Sequence, residues 1–480
     1  MNRASAALVK GLMRIGPGVL PFADAGSPEL PMPRLLRLSL FQVTVGMAAV
    51  LLIGTLNRVM IVELGVPSWL VALMLSLPLL VAPFRALIGF RSDTHRSVLG
   101  WRRVPYIWFG TMLQFGGLAI MPFSLLILSG DTTGPIVIGQ AAAALAFLLV
   151  GAGLHTVQTV GLALATDLAP AHTRPKVVAL LCAMLLVGMG VSALAFGALL
   201  ANFSAIRLIQ VVQGAAVVTM ALNCVALWKQ EARGALPPAQ DVDFSDAWRR
   251  FATAGRARRR LFATALGTAG FSMQDILLEP YGGRVLHLPV GATTALTAML
   301  AFGSGVGLAI AARWLSRGAD AHRVAGVGAV AGVVAFCALI FAAPAESSTL
   351  FSIGVTLIGL GGGLFAHGTL TASMENAQPE DRGLALGAWG AAQATAAGLA
   401  IAASGFVNDA ASSLALSGTF GEALVGPATG YAIVYVVEIL LLVATVVAIG
   451  PLVRFAKPPA EAPKEFHLVT SPSFNSGAMR

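Results

Sequence analysis

Twelve runs of about twenty predominantly apolar residues, parted by polar or basic connections, govern what this chain can become. A helix of that length matches the ~30 Å hydrocarbon core of a bilayer. The runs fall near 38–63, 69–90, 104–128, 136–166, 176–200, 205–228, 261–281, 290–314, 323–343, 349–374, 383–406 and 428–450. Inside hydrocarbon each backbone amide and carbonyl must find a partner within the protein, which restricts spanning segments to helices or closed barrels. Runs this long predict helices. The expected fold class is therefore all-α: a polytopic membrane protein of twelve transmembrane helices. Only 11% of the residues are charged and 57% are hydrophobic, against roughly 25% charged in soluble domains, so a soluble globular class is excluded.

The basic residues set an expected orientation, because loops rich in Lys and Arg are retained in the cytoplasm. With the N-terminus inside, 27 of the 31 Lys and Arg residues fall on cytoplasmic segments, eight of them in residues 229–260. The opposite side carries Arg207 and Arg284, while Arg58 and Arg85 lie within spans. The net charge of +9 is thus spread between spans and not gathered on a folded face with stacking aromatics, which excludes nucleic acid as a partner. Both termini are expected in the cytoplasm. The opening "MNRASAALVKGLMRIGPG" lacks the continuous apolar core and cleavage site of a removable signal.

The long connection splits the chain six and six. The expected organisation is a cytoplasmic segment 1–34, a six-helix bundle 35–228, a cytoplasmic linker 229–260, a second bundle 261–453 and a cytoplasmic tail 454–480. The linker has a candidate interfacial helix around 244–251, and residues 3–15 have an amphipathic spacing that suits the membrane surface or a disordered tail. The halves echo one another: "GAGLHTVQTVGLALATDLAPAHTRP" and "GGGLFAHGTLTASMENAQPEDR" both run from glycines through small residues to an acid, a proline and an arginine. Copies six spans apart are what duplication of a six-helix unit predicts.

After the second span stands "GFRSDTHRSVLGWRR", with Gly89, Asp93, Arg96, Gly100, Arg102 and Arg103. This resembles the loop signature of the major facilitator superfamily, in which such a loop fastens the cytoplasmic side of the two halves. The acid stands farther from the second glycine than in that signature. The other reading is an ordinary basic cytoplasmic loop.

Ionisable groups inside spans are costly and usually face a cavity or a partner. Arg58 in the first span and Asp275 and Glu279 in the seventh lie toward the non-cytoplasmic half. On an unbroken helix, positions 275 and 279 share a face. The expectation is a cavity charge pair from Arg58 to Asp275 or Glu279; the alternative is separate solvated charges in the headgroup region. Arg85 and Glu438 are further in-span charges with no evident partner. Of seven histidines, His155 and His367 are read as in-span, His155 on a stripe with Gln158. Imidazole is an axial ligand for a porphyrin-type metal, a proton carrier, or simply an interhelical hydrogen-bonder. Cys182, Cys224 and Cys337 form neither a zinc pattern nor a disulfide framework. No Walker loop, nucleophile elbow or His and carboxylate cluster at metal-ligand spacing is present, so no enzyme is expected.

The strings "LNRVMIVELGVPSWLVALMLSLPLLVAPFRALIGFRSD", "GWRRVPYIWFGT", "GFSMQDILLEPYGG" and "YVVEILLLVATVVAIGPLVR" resemble the bacteriochlorophyll-delivery branch of the major facilitator superfamily, which contains the PucC and LhaA assembly factors. The resemblance covers nearly all of residues 35–455. It implies two pseudo-symmetric six-helix bundles and a part in building the light-harvesting antenna LH1 or LH2. The implied partners are antenna α and β polypeptides or the RC-LH1 complex, within membrane lipid, and the implied cargo is bacteriochlorophyll. Candidate pigment-binding residues are His155, Gln158, His367 and Gln274, with magnesium of the pigment taken by His155 or His367. Such a cargo is large and mostly apolar, and suits small and apolar linings with one axial ligand. Two other readings stay open: a proton-coupled secondary transporter using Asp275, Glu279 and His367, and a pigment-free assembly scaffold.

Overall fold

The computed structural model describes residues 25–80, 88, 92, 100–129, 134–170, 173–231, 256–375 and 382–453. Among the described residues twelve long helices follow one another: α1 Met32–Glu63, α2 Ser68–Leu80, α3 Val104–Leu128, α4 Ile136–Leu168, α5 Arg174–Leu199, α6 Ala205–Leu227, α7 Ala257–Arg284, α8 Val290–Ser316, α9 Ala321–Ala342, α10 Ser348–Glu375, α11 Arg382–Leu416 and α12 Ala428–Ile449. Eleven of them are long and apolar enough to cross a membrane, and α2 is a shorter apolar helix within the described residues. The protein is a membrane protein. Its helices follow the hydropathy runs, with one clear difference: α11 continues ten residues past the expected end at 406, through Asn408 and Asp409. These polar residues are accommodated because they meet α2, as described below.

The packing repeats itself across the two halves. In the first, α1 packs on α5 and α6, α3 on α4 and α6, and α2 on α4. In the second, α7 packs on α11 and α12, α9 on α10 and α12, and α8 on α10. Adding six to each helix number converts one set into the other. The halves join most extensively through α2 with α11 and α5 with α8, a pair of contacts that the same shift exchanges, and also where α1 meets α7 and α8. Glycines let these helices approach closely. A Cβ on Gly197 would come 2.9 Å from the carbonyl of Gly291, and one on Gly405 would come 2.6 Å from the carbonyl of Ser68.

The two ends of the bundle differ. At the basic end, where α1 begins and α6 ends, Arg34 donates to the Gln230 side chain at 3.1 Å and to its carbonyl at 2.5 Å. At the far end, where α1 finishes, hydrogen bonds cross between the halves. Trp69 N–H donates to Asp409 at 2.8 Å, Arg58 to the Leu288 carbonyl at 3.2 Å, and Arg284 to the Ile61 carbonyl.

Candidate functional site

The first helices of the two halves, α1 and α7, are both irregular, and their irregular stretches face each other. In α1 the chain widens to π-helical turns over Val50–Leu56 and Val59–Glu63. In α7 the α-helix stops at Ser272, tightens to a 3₁₀ turn over Met273–Ile276 and resumes at Leu278. Pro280 explains much of the break. It has no N–H to offer the carbonyl four residues earlier, and it is tolerated because it sits in the first turn of the resumed helix. That orphaned carbonyl, of Ile276, accepts instead from the Asn57 side chain on α1 at 2.9 Å. Asn57 Nδ2 also lies 2.9 Å from the carbonyl of Ile53. From the other side Glu438 on α12 takes the Gln274 N–H on Oε1 at 2.6 Å. An asparagine, a proline and a glutamate thus hold one 3₁₀ turn between two α-helical segments of α7.

Of the expected charge pair, Arg58 acts electrostatically on Glu279, but the ion pair it makes at contact distance among the described residues is with Glu63. Arg58 is buried and ion-paired with Glu63, one turn along its own helix, and also donates to Leu288. Asp275 accepts from the Gln274 side chain at 2.5 Å. Glu279 accepts from the Thr297 hydroxyl of α8 at 2.6 Å, with its carboxylate against Gly54, where no Cβ would fit. The 3₁₀ turn also alters the expected geometry, because Asp275 and Glu279 lie on separate helical segments and not on one continuous face. Glu63 forms one wall of a small apolar crevice of about 70 Å³ between α1, α3 and α6, lined also by Val59, Leu125, Phe203 and Leu208.

Beyond the break, Tyr281 anchors the second half. Its hydroxyl donates to the Leu339 carbonyl at 3.2 Å, and its ring stacks on Phe351 at 4.9 Å and meets Tyr431 edge-on at 5.4 Å. The segment "MQDILLEPYGG" therefore supplies, within a few residues, the 3₁₀ turn, the helix restart and an aromatic anchor.

The four residues proposed to hold a pigment stand on three helices, α4, α7 and α10. His155 and Gln158 are half-buried on α4, and His367 is half-buried on α10. At ~1.5 Å per residue, His155 stands about 20 Å from the basic end of its helix and His367 about 12 Å. Gln274 is committed to the break of α7. The helix-start residue His322 of α9 is buried as well, so His155 and His367 are not the only histidines within helices. Among the described residues no group of three or more His, Cys, Asp or Glu side chains could hold a metal ion.

Of the expected gate, Gly89, Asp93 and Arg96 lie outside the described residues, as do the interfacial stretch at 244–251 and residues 3–15. Gly100 has φ of 81°, a left-handed conformation that favours glycine. Arg102 and Arg103 pair with Asp167 at the end of α4, at 2.5 and 3.1 Å. Arg103 also donates to Ser92 at 2.6 Å. The N–H groups of Arg102, Arg103 and Val104 all donate to the Glu231 carboxylate, at 2.8 to 3.0 Å. An anion on the free amides at a helix start is a favourable cap. These described contacts tie the loop to α4 and α6 of its own half. Sequence reasoning missed Glu231, Glu438 and Asp409 as caps. The signal available was an acid in or beside an apolar run, which has to meet donors somewhere.

Residues 55–456 match the family described as "PUCC protein". The chain is 58% identical over 432 residues to Protein PucC of Rhodovulum sulfidophilum, covering 88% of this chain and 92% of that one. It is 52% identical over 456 residues to Protein PucC of Cereibacter sphaeroides, covering 94% and 98%. Among solved structures, a bacterial homolog of the human lysosomal transporter Spinster, in an inward-facing and unoccupied conformation, superposes with a TM-score of 0.64 at 16% identity, covering 87% of this chain and 95% of that chain. That likeness speaks to the fold alone, which is of the major facilitator type.

Proposed function

The chain belongs to the PucC family, and on that premise we propose that it is an assembly factor for a bacterial light-harvesting antenna, LH1 or LH2, that holds bacteriochlorophyll for nascent α and β polypeptides. The observation that carries this reading is the match over residues 55–456, with more than half of the residues shared with proteins named PucC. The interior chemistry supports it. The spans are rich in small and apolar side chains, as a large tetrapyrrole with a hydrocarbon tail requires. His155 and His367, half-buried in α4 and α10, are the proposed donors to the pigment magnesium, with Gln158 beside His155 as a hydrogen-bonding group. In this reading the basic end faces the cytoplasm of the inner membrane, because 27 of 31 Lys and Arg residues belong to that side.

The test is pigment analysis of the full chain purified from a pigmented phototroph. Absorption in the bacteriochlorophyll bands is expected in the wild type and is expected to fall in a His155→Leu/His367→Leu double variant. Pigment retained at wild-type occupancy in that variant removes both histidines as ligands. A pigment-free wild type that still co-purifies with antenna polypeptides identifies a scaffold. Uptake of a solute that collapses with an uncoupler identifies a transporter instead.

A further inference from the structure

Glu438 is one of the in-span acids that the proposed function leaves unused. It is fully buried midway along α12. Its Oε1 accepts the Gln274 amide, while Oε2 has no hydrogen-bond partner among the described residues. Gln274 presents a second such oxygen. Its Nε2 donates to the Phe271 carbonyl at 3.2 Å and to Asp275 at 2.5 Å, leaving Oε1 of this 2% exposed residue unpaired among the described residues. Arg58 and Arg284 are the cations toward this end of α1 and α7. Arg58 is engaged by Glu63 and Leu288, and Arg284 by the Ile61 carbonyl. An uncompensated acceptor in a dry interior is costly, more so when it is charged, and these two belong to residues of α7 and α12 already joined by the Gln274 N–H bond to Glu438, so a common partner is the simplest way to satisfy both.

We propose that the break in α7 is a binding site for a small alkali cation of the sodium class, held by Glu438 Oε2 and Gln274 Oε1 with Asp275 beside them. The donors are oxygens, which selects a hard cation over a transition metal. A break between two helical segments of one membrane helix, as at the 3₁₀ turn Met273–Ile276, is also where such ions are held in other discontinuous-helix sites. The site rests on the fold and does not depend on the antenna role.

The experiment uses the full chain in detergent micelles, comparing sodium chloride with choline chloride at equal ionic strength, by thermal unfolding and by binding of radioactive sodium. Saturable binding and a sodium-specific rise in melting temperature are expected. Gln274→Ala keeps the backbone amide on Glu438 but removes one ligand, and is expected to weaken binding about tenfold, equivalent to ~1.4 kcal/mol. Glu438→Gln is expected to abolish it. Identical behaviour in the two salts overturns the proposal, as does wild-type sodium affinity in Gln274→Ala, which decides the matter alone if Glu438→Gln does not fold.

Discussion

Asn57 shows how one side chain can carry two helices. It supplies donors to the carbonyls of Ile53 and Ile276, and the second of these lost its donor to Pro280. Asn57→Leu, which keeps the volume and removes both donors, is expected to cost about 1–3 kcal/mol per stranded carbonyl, read as a lowered melting temperature of the purified protein. Arg58 makes a different prediction. Because its partner is Glu63, a Glu63→Gln variant strands a buried guanidinium, and the exchange Arg58→Glu with Glu63→Arg is expected to recover stability that either single change loses. The exchange of Arg58 with Asp275 should recover nothing. A double-mutant cycle on each pair separates the two outcomes. The sequence identified Arg58, Asp275 and Glu279 as residues needing partners. Which partner each takes depends on the turn at 273–276, and a helical wheel drawn through that segment places Asp275 and Glu279 on a shared face that the folded chain does not have.

At the scale of elements, span positions were legible because a bilayer imposes a length on every helix, and hydropathy reads that length directly. The end of α11 was not, since Asn408 and Asp409 look like loop residues until α2 is beside them. Asp409 accepts the Trp69 N–H, and Asn408 lies 3.4 Å from the Ser68 hydroxyl, so a polar end of one helix serves as the cap of another. The repeat in the sequence announced two related halves, and the exchangeable contacts of α2 with α11 and α5 with α8 give that duplication a physical form. Gly197 and Gly291 lie where α5 crosses α8. A Gly291→Leu variant has to push the backbone of Gly197 away, since even a Cβ would come 2.5 Å from its carbonyl. It is expected to destabilise by more than 1 kcal/mol, about the lower bound for overpacking a close contact, as measured by thermal unfolding. The same change at Gly318, where nothing lies within 4 Å, has no packing term and is opposed only by its φ of 84°.

For the whole molecule, orientation is the property that basic residues forecast and that labelling checks. In a background with Cys182, Cys224 and Cys337 replaced, a cysteine at Ser417, beyond α11 at the far end, is expected to react with an impermeant maleimide in intact cells, and one at the exposed Lys229 at the basic end only after the membrane is opened. The reverse pattern inverts the topology. The cap that Asp409 provides for α2 also has a bearing on biosynthesis. Its two partners are separated by 340 positions, so a ribosome has nearly finished the chain before the start of α2 receives this acceptor. Until then the emerging first bundle must wait in the bilayer with that junction unmade, open to lipid and to any helper that attends insertion. A chain arrested before α11 is therefore expected to be far more accessible to protease at the far end than the completed one, which makes translation length a determinant of when the two halves become one body.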